Sequence, residues 1–598
     1  MSKDYNREQL EKLLIGANHL RDRYNRQLRY FIYGRIASFL FSAGFAIAAL
    51  SGASVWWIPS VLFTVLFIVL VAFNEKLKSR QKLNLAYIQS VDGELSASGG
   101  NYQCFDGGID FSEPSHPFAT DLDLFGENSV FQLVNRCTTH AGMRILARWL
   151  LKPLHEKDEI LRRQEAVDEL SRHPEWRLRF RALGLVADEQ KQDIENLLSW
   201  LHTKPEFNKP VFRLAITLTP ILSIAAVIAL SAGLISIQVF MIFLLLPLII
   251  TGFYTRLINA RHAMLSRKVE LLEKVAARFS MVEEADLKSS FFAGIASKLK
   301  TPGNKASDQI SRLGRITASL DTRLNILAGL ALNFLLLWDI RQMIRLEKWQ
   351  QVHSTDFPVW FGVLADAEAL SGLASFAFVN PDFIFPDIHG ERLAIRATEA
   401  GHPLIPASAR VANNISVNGE GRFNIITGAN MAGKSTYLRT IGVNMVLALA
   451  GAPVCAKTFS CYPADIFTSL RTTDSLSANQ SYFYAELLRL KEIIDRLNRG
   501  EALYVFLDEI LKGTNSADKQ AGSKALLTQL IGLNASGCIA THDLELGTLA
   551  KAFPENVVNY SFEADISGDE LHFNYKLKPG IARNMNATFL MKKMGITL

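Results

Sequence analysis

The chain has 598 residues, enough for several domains that each bury a core. Its apolar fraction of 49% and mean hydropathy of +0.13 exceed those of most soluble proteins and point to membrane segments in an otherwise globular chain. With 64 basic and 58 acidic residues the net charge is only +6, which permits a nucleic-acid partner without arguing for one, and five scattered cysteines without metal-ligand spacing exclude a disulfide framework.

The N-terminus, MSKDYNREQLEKLL, is polar and lacks the pattern of a cleaved signal peptide, so residues 1–30 read as a cytoplasmic helix. From Ile36 to Asn74 no residue is charged, and SGAS (Ser51 to Ser54) splits the run into two halves of about 20 residues, each long enough to cross a bilayer. Residues 31–75 therefore read as a transmembrane hairpin, with Trp56 and Trp57 at the turn where interfacial aromatics belong. Residues 76–209 read as the first part of a helical core: VFQLVNRC and AGMRILARWLL space their apolar residues three and four apart, and Pro153 ends the second helix. A second uncharged run, Leu214 to Thr255, broken at SAG (Ser231 to Gly233), makes residues 210–256 a second hairpin. Basic residues such as Arg29, Arg35, Lys76, Lys78, Arg213 and Arg256 flank both hairpins, while the turns inside them are uncharged. By the positive-inside rule both termini and all large segments are cytoplasmic. Residues 257–375 read as the second part of the core, and the apolar stretch Leu324 to Trp338, too short to span comfortably, reads as a core helix within it. Over residues 376–598 short apolar strands (FNIITG, ALYVFLDE, GCIATHD) alternate with helices, the pattern of an α/β domain with a mainly parallel sheet.

Three motifs in that last domain carry chemistry. GANMAGKST, running Gly428, Ala429, Asn430, Met431, Ala432, Gly433, Lys434, Ser435, Thr436, fits G-x-x-x-x-G-K-[ST] between a strand and a helix. Glycines let backbone N–H groups close around phosphate oxygens, and the helix turns its positive end toward them. Lys434 is placed to reach the β- and γ-phosphates of ATP, and Ser435 to hold Mg²⁺. The strand ALYVFLDE ends in Asp508, suited to the Mg²⁺ shell, and Glu509, suited to polarise the attacking water. GCIATHD places His542 at a strand end as a γ-phosphate sensor.

These elements would also suit an ABC transporter, and SLSANQ (Ser475 to Gln480) even resembles its signature loop; the flanking residues decide otherwise. NMAGKST resembles the P-loop of the MutS family. QSYFYAEL (Gln480 to Leu487) resembles its Ser-Thr-Phe-x-x-Glu segment, and LDEILKGTNS (Leu507 to Ser516) its Asp-Glu-x-x-x-Gly-Thr turn. GHPLIP (Gly401 to Pro406) resembles the family's His-Pro entry to the ATPase, DLDLFGENSVFQLVNRCTTHAGMRILARWLLKPL (Asp121 to Leu154) the start of its helical core, and YKLKPGIARNMNATFLMKKMGI its closing dimerisation stretch. The resemblance implies an ABC-type P-loop ATPase domain joined to an all-α core. It also implies a homodimer through the ATPase domain, in which Ser481 reaches the partner's γ-phosphate while Lys434, Ser435, Asp508, Glu509 and His542 act within one subunit.

The sequence departs from the family in four places, one being that the second hairpin interrupts the helical core in the region from which the family's levers and DNA clamp extend. The mismatch-reading domain that precedes the core in MutS is absent, its place held by a membrane hairpin. The family's glutamine after the P-loop helix falls at about Leu449, and its Gly-Arg after Asp-Glu-Ile becomes Leu511-Lys512. The expectation is thus a multi-pass cell-membrane protein with a cytoplasmic, MutS-like ATPase, linked to DNA and mismatch repair and held in the lipid bilayer by four helices. The alternative is a membrane remodelling or transport ATPase driven by a MutS-type engine.

Overall fold

The computed structural model describes residues 3–52, 54–189, 191–265, 269–301, 304–429, 431–471, 482–511, 514–567 and 570–583. Two helices, Lys3–Leu50 and Trp57–Ser98, form an antiparallel hairpin whose turn lies at the SGAS break. The N-terminal helix and the first half of the hairpin are one element. No proline interrupts residues 3–50, so the helix runs on for about 72 Å at 1.5 Å per residue.

The hairpin changes character along its length. At its base Leu10 and Val91 pack with Leu178, Phe378 and Val379, and the Asn84 amide donates to Ala17 O at 2.9 Å. There too the buried Glu94 carboxylate accepts from Arg136 Nε at 2.8 Å. Beyond Arg35 the outer surface is apolar, with Leu40, Ile47, Leu50 and Ile58 63–76% exposed, while the Ser42 and Thr64 hydroxyls, 2.7 Å apart, bridge the two helices. A contiguous band of bare aliphatic side chains on this scale is not a stable surface in water.

The second hairpin, Pro210–Ser231 and Ile237–Leu265, is bare in the same way, with Leu214, Ile221, Ile224 and Ile228 exposed. Pro220 lies inside its first helix and has no N–H for the carbonyl four residues back. That carbonyl, Ile216 O, accepts from Arg341 Nη2 at 2.8 Å, so a cation from the helix Trp338–His353 replaces the donor the proline removed.

The stretch expected to be a core helix behaves differently. Helix Ile326–Leu336 is capped by Asn325 Oδ1, which accepts from Ala328 N at 3.2 Å, and ends at Leu337 in the left-handed region, where the chain bends 78° into Trp338–His353. Leu324, Ile326 and Leu327 are 71–80% exposed, and the helix packs beside the second hairpin, with Ser223 Oγ donating to Phe334 O at 3.2 Å. The buried Asp339 pairs with Arg323 at 3.3 Å and ties the residues on either side of the helix together, so it projects an apolar face without needing to span.

Five described helices are long and apolar enough to cross a membrane, but in Asp356–Val379 83% of the apolar window is buried, and that helix is the axis of the core. Its Glu368 carboxylate accepts from the hydroxyls of Thr138 and Thr139 and pairs with Arg278, which has no exposed surface. Gly142 makes room for it, since a Cβ there would come within 2.1 Å of Glu368 Oε2.

The C-terminal part is built on a six-stranded sheet, in the order Glu570–Pro579, Val557–Ser567, Phe423–Gly428, Ser536–Thr541, Leu503–Asp508, Asp465–Ser469. All neighbours run parallel except the first pair. A four-stranded, mainly antiparallel sheet (Asp387–Ile388, Thr458–Cys461, Ala394–Ala400, Asn413–Asn418) lies beside it.

The Arg341–Ile216 bond gives a test of this packing. Arg341→Met should cost about 2 kcal/mol by orphaning a carbonyl away from water. Adding Pro220→Ala supplies an intrahelical donor and should recover most of that loss. Thermal unfolding of the detergent-purified chain measures both, and plain additivity of the two substitutions would refute the account.

Candidate functional site

Strand Phe423–Gly428 is buried at all six positions, which its run of apolar residues permits only at the centre of a sheet. Its register aligns Thr427 with Thr541 on one neighbour, and Ala540 with Asp508 on the next, so three strands end at nearly one level. The chain leaves the first of them through Gly428 (φ 152°), where a Cβ would stand 2.5 Å from Phe562 O. It enters helix Lys434–Leu449 through Gly433 (φ 105°). Both positions need glycine. The helix therefore opens with its first-turn N–H groups and its positive end facing the loop.

Lys434 is 4% exposed and its Nζ donates to Gly428 O (2.8 Å) and Ala429 O (2.9 Å), so the ammonium lies across the mouth of the loop. Ser435 Oγ donates to Asp508 Oδ2. Ala432 is buried and Met431, at the crest of the loop with φ 66°, is 80% exposed. Glu509 also has a positive φ, 51°, and its N–H donates to Ala540 O at 2.9 Å, locking the end of its strand to the neighbour. His542 Nδ1 lies 3.5 Å from Glu509 Oε1, and Lys519 Nζ lies 3.4 Å from His542 Nε2. Lys434, Ser435, Thr436, Asp508 and Glu509 line one cleft of about 890 Å³, with His542 behind Glu509.

The cleft has walls that motif reading missed. Ile405, Ala409 and Val411 form an apolar side. Tyr575 overhangs Gly433, where a Cβ would meet its ring at 3.1 Å, and Asn413 clips its strand in place by donating to Tyr575 O (2.9 Å) and accepting from Leu577 N (2.8 Å). Tyr575 belongs to the stretch expected only to dimerise; a single aromatic in an exposed strand carries no signal of its own. Leu449 is buried at the far end of its helix, about 21 Å along the axis from Ser435, so its departure from the family pattern does not touch the cleft. Asn430, Ser475 to Ser481, Lys512 and residues 584–598, which hold the end of the closing stretch, lie outside the described residues. Among the described residues no three His, Cys, Asp or Glu side chains cluster as a metal site.

MutS domain V matches residues 424–594, and MutS domain III matches residues 118–347. Over these two spans the chain is similar to the MutS family. Among curated proteins it is 31% identical over 233 residues to the DNA mismatch repair protein MutS of Persephonella marina, 31% over 239 residues to that of Aquifex pyrophilus, and 35% over 227 residues to that of Dehalococcoides mccartyi. These matches cover 36–39% of the chain and only 26–27% of the relatives' length.

The domain III and domain V spans meet at two carboxylates. Asp121, 2% exposed, accepts from Thr468 Oγ1 (2.7 Å), Leu470 N (3.0 Å) and Arg471 N (3.0 Å). Asp123 pairs with Arg471 at 2.6 Å and with Arg439, on the helix Lys434–Leu449, at 3.4 Å. Beside this joint, burial and the Arg439 cation push the His402 imidazole down to about 4, and its Nδ1 accepts from Leu404 N at 3.3 Å, which fits a neutral ring. A histidine whose folded value lies below its ordinary 6.5 contributes stability above that value and loses it as pH falls toward the folded one. Between pH 7 and pH 5 the loss should be about 2 kcal/mol. His402→Gln should remove that part of the pH dependence in thermal unfolding, and profiles of identical shape would contradict the assignment.

Proposed function

We propose that the chain is a membrane-anchored ATPase of the MutS type, which binds ATP with Mg²⁺ above Lys434 and hydrolyses it to ADP and phosphate. The observation that supports this most is the convergence of Lys434, Ser435, Asp508, Glu509 and His542 at the level ends of adjacent strands, beside an open helix N-terminus. The cleft suits a nucleotide in size, and both its glycines sit where any side chain would obstruct the loop. Lys434 would exchange two backbone carbonyls for phosphate oxygens with little movement of its charge. Ser435 and Asp508, already in contact, would hold Mg²⁺, which neutralises charge on the phosphate oxygens. Glu509 would orient the attacking water and take its proton, with His542 fixing the direction of that carboxylate. The apolar wall and Tyr575 offer the base a surface to stack on.

The working unit in this reading is a homodimer through the ATPase domain, with Ser481 of one copy completing the other's site. The exposed aliphatic faces of both hairpins support anchoring in a cell membrane, and their basic flanks support a cytoplasmic ATPase. A link to DNA and mismatch repair rests on the names of the relatives. The membrane remodelling or transport reading is favoured by one feature: a third bare apolar helix continues directly into the core helix Trp338–His353.

Full-length protein in detergent should bind ATP·Mg²⁺. Lys434→Ala should weaken binding about 30-fold, the value of a charged hydrogen-bonding group. Glu509→Ala should keep ATP bound, accumulate dimer, and lower turnover by about 100-fold or more; normal turnover in that variant would remove Glu509 from its role. Salt-sensitive affinity for duplex DNA is expected of the DNA-linked reading. No affinity at low salt, with turnover that responds to a bilayer, would favour the alternative.

A further inference from the structure

The helices that precede and follow Ile326–Leu336 enclose a second cleft, of about 500 Å³, lined by Arg312, Arg315, Ile316, Ser319, Gln342 and Arg345. Its two walls are helices Ala306–Asp321 and Trp338–His353. Arg312, Arg315 and Arg345 are exposed, and none of the three forms an ion pair among the described residues. Gln342 has no exposed surface, yet its Nε2 finds no hydrogen-bond partner, while its Oε1 accepts weakly from Arg345 Nη1 at 3.4 Å. A buried amide donor left unpaired costs stability unless a ligand meets it. Three guanidinium groups and one amide N–H, with no carboxylate among the lining residues, form a site for an anion with several oxygens.

The position of the cleft narrows the ligand. Ser319, on its wall, accepts the indole N–H of Trp338 at 2.8 Å, and Trp338 is the first residue after the bend that ends the apolar helix. Gln342 follows Leu337 by five residues, about 7 Å along the helix, so the cleft lies close to the apolar segment. An exposed apolar segment (Leu324, Ile326, Leu327, Leu330) joining the two helices that carry three arginines is suited to meet acyl chains and a phosphate at once. We propose that this cleft binds the headgroup phosphate of an anionic phospholipid, with helix Ile326–Leu336 lying against its acyl chains. The proposal rests on the membrane reading given above.

The test uses full-length protein in neutral detergent, titrated with phosphatidylglycerol or phosphatidylcholine and read by native mass spectrometry. Phosphatidylglycerol should be retained in preference. Arg315→Ala and Arg345→Ala should each lower its affinity about fivefold, and the pair about 25-fold. Arg213→Ala, at the base of the second hairpin, should leave it unchanged. Equal retention of the two lipids would overturn the site. So would glycerol 3-phosphate binding as tightly as the lipid, or duplex DNA displacing the lipid from wild-type protein but not from the double variant. Alkaline extraction of membranes separates the two levels of failure. Protein that stays in the bilayer but keeps its phosphatidylglycerol after double substitution refutes the lipid site alone. Protein that leaves the bilayer refutes the membrane reading and the site together.

Discussion

The Asp121 carboxylate is the fixed point of the molecule. It is buried, accepts a hydroxyl from the edge strand of the six-stranded sheet and two backbone N–H groups from the residues just after that strand, and lies 3.5 Å from Arg489. A buried charge held this way cannot shift without losing several kcal/mol, so the start of the helical core and the rim of the sheet are joined as one body at this point. Two residues on, Asp123 extends the joint to Arg439 on the helix Lys434–Leu449. The helix Lys434–Leu449 is thereby braced against the core. Motif reading placed Asp121 at the start of the core from resemblance, but nothing in the sequence pairs it with residues some 350 positions away.

What could be read in advance follows from contiguity. The loop and helix start from Gly428 to Thr436 form one uninterrupted segment, so they could be read as a unit. Asp508, Glu509 and His542 were legible because each ends an apolar strand, and parallel strands bring their C-terminal ends to one rim. Tyr575, Asn413 and the apolar wall come from separate elements that meet only through the sheet order. The hairpins were legible because a stretch without charge is a one-dimensional property.

Helix Ile326–Leu336 shows where that criterion fails. Length alone made the stretch Leu324 to Trp338 a core helix, because it is too short to span hydrocarbon comfortably. The constraint that governs it is instead the Arg323–Asp339 pair, which brings the chain back to where it left the core. A helix whose ends are tied together has no need to span, and an apolar face is free to lie outward. The same region shows sequence-distant compensation: Pro220 strips a donor from one helix and Arg341 restores it from another. Neither residue carries a signal read singly.

The turn after the acidic pair carries the last constraint. Glu509 (φ 51°) and Leu511 (φ 58°) both occupy the left-handed region, at about 1 kcal/mol or more each. Leu511 stands where the family has glycine, which would adopt that backbone without strain. The turn keeps its shape through two bonds, Glu509 N to Ala540 O, and Leu511 N to Glu486 Oε1 at 2.7 Å. Glu486 is buried on helix Tyr482–Asn498, the helix that follows the segment containing Ser481. One anchor of the strained turn thus belongs to the sheet and the other to that helix. A shift of the helix would leave a buried N–H unpaired and the strain uncompensated, and the turn would relax. The direction of the Glu509 carboxylate toward His542 therefore depends on where helix Tyr482–Asn498 is held.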